Sequence, residues 1–252
     1  MRIKNYMKKG NFIFTLFISL LFLGFTTALF AEAQFKIIDT NQLKKLFAQK
    51  KTFLLIDARS PQEYQEAHIK SAVSIPEKNF DENKKLLPAD KSTLIVIYCN
   101  GVQCGKSKKL AEKIIPLGYT NVSVYSEGFP VWEERVLPIV AGSEYGKKIE
   151  TRMLKPDDLK IIIDGNKSDY VLVDVRDASE YRQGHIPTAI NIPSEKFASE
   201  SGILPKNKKI IVYCNTGSRS YLSYRKLISL AYPDINQTLL ADWKNAKMKI
   251  EK

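Results

Sequence analysis

Short apolar runs alternate with amphipathic stretches along most of the 252-residue chain. The runs are rich in Val, Ile and Leu, which is typical of strands buried on both faces of a parallel sheet. They occupy residues 53–56, 94–98, 170–173 and 210–213. Helical spacing between them predicts one helix after Thr40 and Asn41, which are candidate N-caps, and another beginning near Ser107. This alternation predicts an α/β fold with helices covering a mainly parallel sheet.

The second half of the chain repeats the first. Residues 57–76 and 174–193 share nine identities at a constant offset of 117 positions. In the first copy these are Asp57, Arg59, Glu63, Tyr64, His68, Ile69, Ala72, Ile75 and Pro76. The repeat continues in LIVIYCN at 94–100 and KIIVYCN at 209–215, and a tryptophan closes each copy. A duplication into two domains, 36–140 and 153–245, is therefore predicted, with a polar linker over 141–152.

The first residues have the pattern of an export signal. Basic residues precede an apolar run over 12–23, and small residues then lead to Ala31-Glu32-Ala33. This order predicts a signal peptide over 1–33, removed before Gln34. The alternative is an uncleaved anchor, because 12–30 is about long enough to span a bilayer. Cleavage would leave a periplasmic or secreted protein without membrane attachment.

Composition narrows the possible partners. The chain has a formal net charge of +12, but its lysines are scattered and no aromatic residues interleave with them. This pattern favours a solvated surface over nucleic-acid binding, and the charge would help to attract small anions. Two histidines and three cysteines at these spacings match no metal site, so neither metal nor cofactor is expected. The odd cysteine count leaves at least one thiol free.

The chemistry is predicted where the strand ending at Tyr213 leads into a helix. The connecting residues are Cys214, Asn215, Thr216, Gly217, Ser218, Arg219 and Ser220. Such a turn can direct backbone N–H groups and a helix N-terminus at one point. A thiol held there, beside Arg219, is expected to have a lowered pKa and a reactive thiolate. The alternative is a buried, inert cysteine at a strand end.

These segments resemble the signature of the rhodanese (sulfurtransferase) family. The resemblance rests on Asp174-x-Arg176, Glu180-Tyr181, 184–187, 189–193 and 214–220, and it covers both domains. It implies two tandem rhodanese-like domains, with Cys214 accepting a sulfane sulfur as a persulfide. The donor would be a small sulfur-containing anion such as thiosulfate, and the acceptor cyanide or a thiol, including a protein thiol. Residues 215–220 would form the cradle, and Arg219 would help to hold the donor.

The first domain departs from this pattern. Its loop reads Cys99-Asn100-Gly101-Val102-Gln103-Cys104-Gly105-Lys106-Ser107, so Cys99 and Ser107 are eight positions apart, against six for Cys214 and Ser220. Cys99 matches the sulfur carrier, and Lys106 is a candidate for binding substrate. Cys104 is interpreted as a redox partner that forms a disulfide with Cys99 or accepts its sulfur. The alternative is a degenerate domain kept for packing.

Other functions fit less well. A cysteine phosphatase loop has five residues between Cys and Arg, whereas Cys214 and Arg219 are separated by four. A non-catalytic sulfur carrier would use the same cysteine and stays open. Gly105-Lys106-Ser107 resembles the end of a P-loop, but the first glycine of that motif is missing. His185 is predicted to close a turn, and Asp174, Arg176 and Glu180 to form an ion-pair network that fixes loops.

Overall fold

The computed structural model describes residues 35–49, 52–165 and 168–252. The predicted signal segment lies outside these residues. Within the described part of the chain, no helix is both long enough and apolar enough to cross a membrane. The described residues form one compact unit that contains both copies of the repeat.

The first domain is a five-stranded parallel sheet flanked by helices. Its strands run in the order β1-β6-β5-β2-β4, and a separate antiparallel pair, β3 and β7, closes one end. The strands are β1 (Lys36–Ile38), β2 (Phe53–Asp57), β3 (Ala67–Ile69), β4 (Val73–Ser74), β5 (Leu94–Tyr98), β6 (Val122–Tyr125) and β7 (Ile139–Ala141). The helices are α1 (Thr40–Ala48), α2 (Pro61–Glu66), α3 (Phe80–Asn83), α4 (Lys106–Ile114) and α5 (Gly128–Glu134).

The second domain repeats this architecture with a four-stranded parallel sheet in the order β11-β10-β8-β9. Its strands are β8 (Tyr170–Asp174), β9 (Ile190–Asn191), β10 (Lys209–Cys214) and β11 (Ile235–Leu239). Its helices are α6 (Pro156–Asp164), α7 (Ala178–Gln183), α8 (Phe197–Glu200), α9 (Ser218–Ser229) and α10 (Leu240–Asn245). Single bridges, Met153 with Gln237 and His185 with Glu251, stand where the first domain pairs β1 with β6 and β3 with β7.

The core confirms the sequence pattern of strands buried on both faces. In β5, Ile95 and Ile97 join one apolar cluster, whereas Val96 and Tyr98 join another on the opposite face. The same alternation divides β10 between two clusters. Because side chains alternate along a strand, each sheet needs helices on both sides to exclude water. This is the α/β architecture that the sequence predicts.

The start of one helix differs in detail from the sequence expectation. The N-cap of α1 is Asp39 rather than Thr40 or Asn41, because the Asp39 carboxylate accepts the Gln42 amide and Gln42 reciprocates. Thr40 lies inside the helix, where its hydroxyl contacts Tyr125. The chain after residue 245 packs on the second domain, since the backbone of Glu251 pairs with His185.

Candidate active site

The Cys214 sulfur lies at the carboxyl end of β10, in a shell of hydrogen-bond donors. The amide nitrogens of Gly217 and Ser220 lie 3.2 and 3.4 Å from it, and the Ser220 hydroxyl lies at 3.5 Å. Gly217 has φ +108°, a conformation that favours glycine and turns its amide back toward the strand end. The donors sit at the start of α9, where unpaired N–H groups favour negative charge. The loop is therefore built to hold an anionic sulfur.

Burial and hydrogen bonding act in opposite directions on this thiol. Cys214 is 2% exposed, and burial by itself favours the neutral thiol. The Ser220 hydroxyl and the amides of Ser220, Gly217 and Thr216 outweigh burial, so the pKa of Cys214 is lowered. A thiolate that is shielded from bulk water but still hydrogen-bonded is a suitable nucleophile for a small electrophile.

Gln237 supports the cradle, and sequence reasoning did not identify it. Its side-chain amide donates to the carbonyl of Gly217 at 3.1 Å and to the Ser220 hydroxyl at 2.8 Å. Because the hydroxyl oxygen is already accepting, its own hydrogen is free to point to Gly217 O or to the Cys214 sulfur. The feature that could have indicated this role is the position of a glutamine within β11, where the segment Ile235–Thr238 is buried.

Arg219 and Asn215 are turned toward α7 rather than toward the sulfur. The guanidinium of Arg219 donates to both carboxylate oxygens of Glu180, at 2.5 and 2.9 Å, and Asn215 donates to the same carboxylate at 3.1 Å. Asp177 lies 3.6 Å from Arg219 as well. Glu180 was predicted to join Asp174 and Arg176 in one ion-pair network, but its hydrogen bonds go to Arg219 and Asn215 of the loop instead. Charge attraction between Arg219 and Cys214 remains, although the guanidinium is not aimed at the thiol.

An open groove of about 580 Å³ adjoins the loop on the side of the linker. It is lined by the cradle residues Thr216, Gly217 and Ser218, with Lys148 on the linker side. Exposed apolar atoms of Met153 and Leu222 border it. The groove gives solvent access to the loop that surrounds Cys214.

The first domain reproduces the network but not the cradle. Asn100 donates to Glu63, and Lys106 lies 3.5 Å from the same carboxylate, as Asn215 and Arg219 do with Glu180. The Cys99 sulfur lies 3.2 Å from the Ser107 hydroxyl, which matches the contact between Cys214 and Ser220. These contacts confirm the pairing of the two loops despite their different lengths. Lys106, predicted to bind substrate, is therefore engaged with Glu63 and with Asn100 at 3.1 Å.

The longer first loop reaches the second domain. Gln103 donates to the carbonyls of Gly202 and Leu204, at 2.5 and 2.9 Å, and Asn100 donates to Ser229 O at 2.7 Å. Ser229 is the last residue of α9, and Cys214 lies at the first turn of that helix. A helix of this length spans about 18 Å. The two cysteine loops therefore lie at opposite ends of α9, too far apart for direct sulfur transfer in this arrangement.

The histidines and the Asp-Arg pairs are structural. The His185 ring stacks on Tyr181 and its Nδ1 lies 3.1 Å from Tyr181 O, which agrees with a turn-closing role. Buried Arg176 binds Asp174 at 2.5 Å and donates to Gly184 O. The first domain has the same arrangement in Asp57, Arg59 and His68. Among the described residues, no cluster of side chains is suited to a metal ion.

The fold and these loops define a duplicated α/β protein with a thiolate cradle. Residues 39–135 and 155–245 each match the Rhodanese-like domain family. The chain therefore belongs to the rhodanese-like family, and it carries the domain twice.

Its relatives include sulfurtransferases. The chain is 37% identical over 68 residues to the thiosulfate sulfurtransferase PspE of Escherichia coli, covering 27% of this chain and 62% of the relative. It is 29% identical over 104 residues to the thiosulfate sulfurtransferase GlpE of Vibrio cholerae, covering 41% and 93%. A sulfurtransferase of Allochromatium vinosum is 34% identical over 64 residues, covering 25% and 60%. The chain thus spans about 60% of the length of two of these relatives.

A solved structure, a thiosulfate sulfurtransferase from Pseudomonas aeruginosa, aligns with 86% of this chain and 43% of its own chain. The sequence identity is 18% and the TM-score is 0.38.

Proposed function

We propose that the protein is a sulfurtransferase that moves a sulfane sulfur through a persulfide on Cys214. The observation that carries this proposal is the set of donors around the Cys214 sulfur: two backbone amides and a hydroxyl within 3.5 Å. Family membership and the named sulfurtransferase relatives support the same activity.

The proposed reaction has two displacements at sulfur. The Cys214 thiolate attacks the outer sulfur of a donor such as thiosulfate, the donor S–S bond breaks, and sulfite leaves with its electron pair. A thiophilic acceptor, cyanide or a thiolate, then attacks the outer sulfur of the persulfide and releases the Cys214 thiolate. Both the thiolate and the persulfide are anions, so the same amides stabilise each of them. Lys148, at the edge of the groove, would favour an anionic donor.

The cradle favours sulfur transfer over phosphate ester hydrolysis. Arg219, the cation that would bind a phosphoryl group, is engaged with Glu180 and Asp177. The amides converge on the thiol itself, which suits one additional sulfur atom rather than a tetrahedral group.

Export belongs to the same proposal and rests on the N-terminal sequence. A cleaved signal peptide would place the sulfur chemistry in the periplasm or outside the cell. N-terminal sequencing of the protein isolated from its native host tests this. A mature chain beginning at Gln34 is expected, and one beginning at Met1 would contradict cleavage.

The activity is tested by measuring sulfur transfer from thiosulfate to cyanide. The variant is Cys214→Ser, and Cys99→Ser is the matched control. We expect Cys214→Ser to lose nearly all thiocyanate formation and Cys99→Ser to retain it. Peptide mass spectrometry of the wild-type protein after thiosulfate treatment should place one added sulfur on Cys214. Full activity in folded Cys214→Ser would contradict the proposal. A persulfide on Cys214 without turnover would instead identify a sulfur carrier.

A further inference from the structure

The first-domain loop contains two thiols that contact each other. The Cys99 thiol is 1% exposed, points to the carbonyl of Cys104 at 3.4 Å, and also hydrogen-bonds to the Cys104 sulfur. Cys104 is only partly buried. An external reagent therefore has access to Cys104, whereas Cys99 lies in the apolar core of the domain.

The Cys104 sulfur has hydrogen-bond donors of its own. The Cys104 sulfur accepts from the Cys99 thiol and from the amides of Asn100 and Lys106. The Cys99 sulfur contacts the hydroxyl and the amide of Ser107, the counterparts of the Ser220 donors at Cys214. Each thiol of this loop therefore has a separate set of donors, and the set around Cys104 includes two backbone amides.

Positive charge from both domains acts on this thiol. Lys106 interacts electrostatically with Cys104, and Lys206 of the second domain interacts with both Cys104 and Cys99. Lys206 is held in place by donation to Leu230 O at 2.6 Å, beyond the end of α9. The hydrogen bond from Cys99 is the main cause of a lowered pKa at Cys104, and the same hydrogen bond raises the pKa of Cys99.

We propose that the first domain is a thiol–disulfide exchange site in which Cys104 is the attacking thiolate and Cys99 the resolving thiol. The substrate class is an accessible disulfide, preferentially an anionic one because Lys106 and Lys206 flank the site. This activity is separate from sulfur transfer at Cys214, which lies at the other end of α9.

The exchange balances without another co-reactant. The Cys104 thiolate attacks one sulfur of a disulfide RSSR, whose S–S bond breaks to form Cys104–S–S–R and RS⁻. Cys99 then loses its proton to solvent and attacks the Cys104 sulfur, which forms the Cys99–Cys104 bond and releases a second RS⁻. The two cysteines are oxidised by two electrons, and one disulfide is reduced to two thiols.

The order of attack is tested in a Cys214→Ala background, which leaves only the two first-domain thiols. Dithiodipropionate is the anionic probe, and cystamine is a cationic disulfide of similar size. The parent should release two thiols per protein and finish with a Cys99–Cys104 disulfide and no adduct. In the Cys99→Ser variant, the reaction should stop at a stable mixed disulfide between Cys104 and the probe. Cys104→Ser should react at least about tenfold more slowly, because the remaining thiol is buried and un-ionised.

A lysine variant tests the preference for anionic disulfides without changing either cysteine of the loop. Lys206→Gln should slow the reaction with dithiodipropionate but not with cystamine. Lys196→Gln, the same change at an exposed position, should affect neither. Equal rates for Cys104→Ser and the parent would overturn the assignment of the attacking thiol. A persistent adduct on the parent would overturn the resolving role of Cys99.

Discussion

At the scale of single residues, the two cysteine loops differ in the groups that form hydrogen bonds with the cysteine sulfur. Cys214 and Cys99 follow equivalent strands, and both are almost fully buried. The difference is that Cys214 accepts from the amides of Gly217 and Ser220, whereas the Cys99 thiol contacts Cys104 and Ser107. The contact with Cys104 and burial together raise the pKa of Cys99 in spite of the Ser107 donors, which favours the neutral thiol. Equivalent positions in the repeat therefore have different chemistry.

Replacing Ser220 with Ala should raise the pKa of Cys214. The hydroxyl is the largest of the influences that lower this pKa, and one hydrogen bond of about 0.5–1.5 kcal/mol corresponds to a pKa change of roughly 1. At a pH below both values, the thiolate fraction and the alkylation rate should fall about tenfold. The rate is measured against pH with iodoacetamide in a Cys99→Ser/Cys104→Ser background. Ser107→Ala is the matched control, and an unmoved profile in Ser220→Ala would show that backbone amides alone set the pKa.

Replacing Arg219 with Ala should raise the Michaelis constant for thiosulfate and raise the pKa of Cys214 slightly. The guanidinium attracts the thiolate electrostatically but makes its hydrogen bonds to Glu180, so its effect on the thiol is indirect. Arg219→Lys should be milder, since Lys106 fills the same place beside Glu63 in the first domain. Steady-state kinetics of both variants provide the measurement. If Arg219→Ala retains the wild-type Michaelis constant, the arginine serves only to fix the loop.

At the scale of secondary-structure elements, each site is a strand end joined to a helix start. The repeat, the buried runs and the loop before α9 could all be predicted because they depend on local pattern and spacing. The partners of the loop side chains could not. Gln237 comes from β11, more than twenty positions after Cys214, and its role depends on the pairing of β10 with β11. Glu180 lies 39 positions before Arg219, and only the folded chain shows that it binds this arginine.

Gly217→Ala should lower both stability and activity. The added Cβ would have room, with Leu239 at 3.5 Å as its nearest neighbour, so the cost lies in the left-handed backbone at φ +108°. Such strain costs about 1–3 kcal/mol, and relieving it would turn the amide away from Cys214. Gly118→Ala is the matched control, since Gly118 has φ +91° in open space outside the Cys214 loop. Urea unfolding should show losses in both variants, and the sulfurtransferase assay a loss only in Gly217→Ala. Equal activity in the two variants would contradict the role of the Gly217 amide.

At the scale of the whole molecule, the duplication has produced one loop that adjoins an open groove and one that is packed against the other domain. The loop of Cys214 borders the groove beside the linker, whereas the loop of Cys99 and Cys104 contacts the end of α9. The sequence shows that the first loop is longer, but it does not show that this loop contacts the second domain. That contact depends on residues that are distant along the chain. The packing explains why Lys206, a residue of the second domain, influences thiols of the first.

Glu134, at the end of α5, contributes to the contact between the domains, and its side chain is 4% exposed. Its carboxylate accepts from the amides of Ala198 and Ser199, at 2.6 and 3.1 Å, and from Lys226 at 2.8 Å. Glu134→Ala would leave the two amides without this acceptor and Lys226 with only Ser194 O, at a cost of about 2–4 kcal/mol.

We therefore expect Glu134→Ala to lower the melting temperature and to separate unfolding into two transitions as the domains uncouple. Calorimetry measures both effects, and Glu195→Ala, at an exposed position, is the control. Uncoupling should also expose the first loop, so Cys104 should react faster with iodoacetamide while Cys214, at the far end of α9, keeps its rate. A single transition at the temperature of the control would show that Glu134 does not hold the domains together. Faster alkylation of Cys214 would show that the variant loosens the whole second domain rather than the interface.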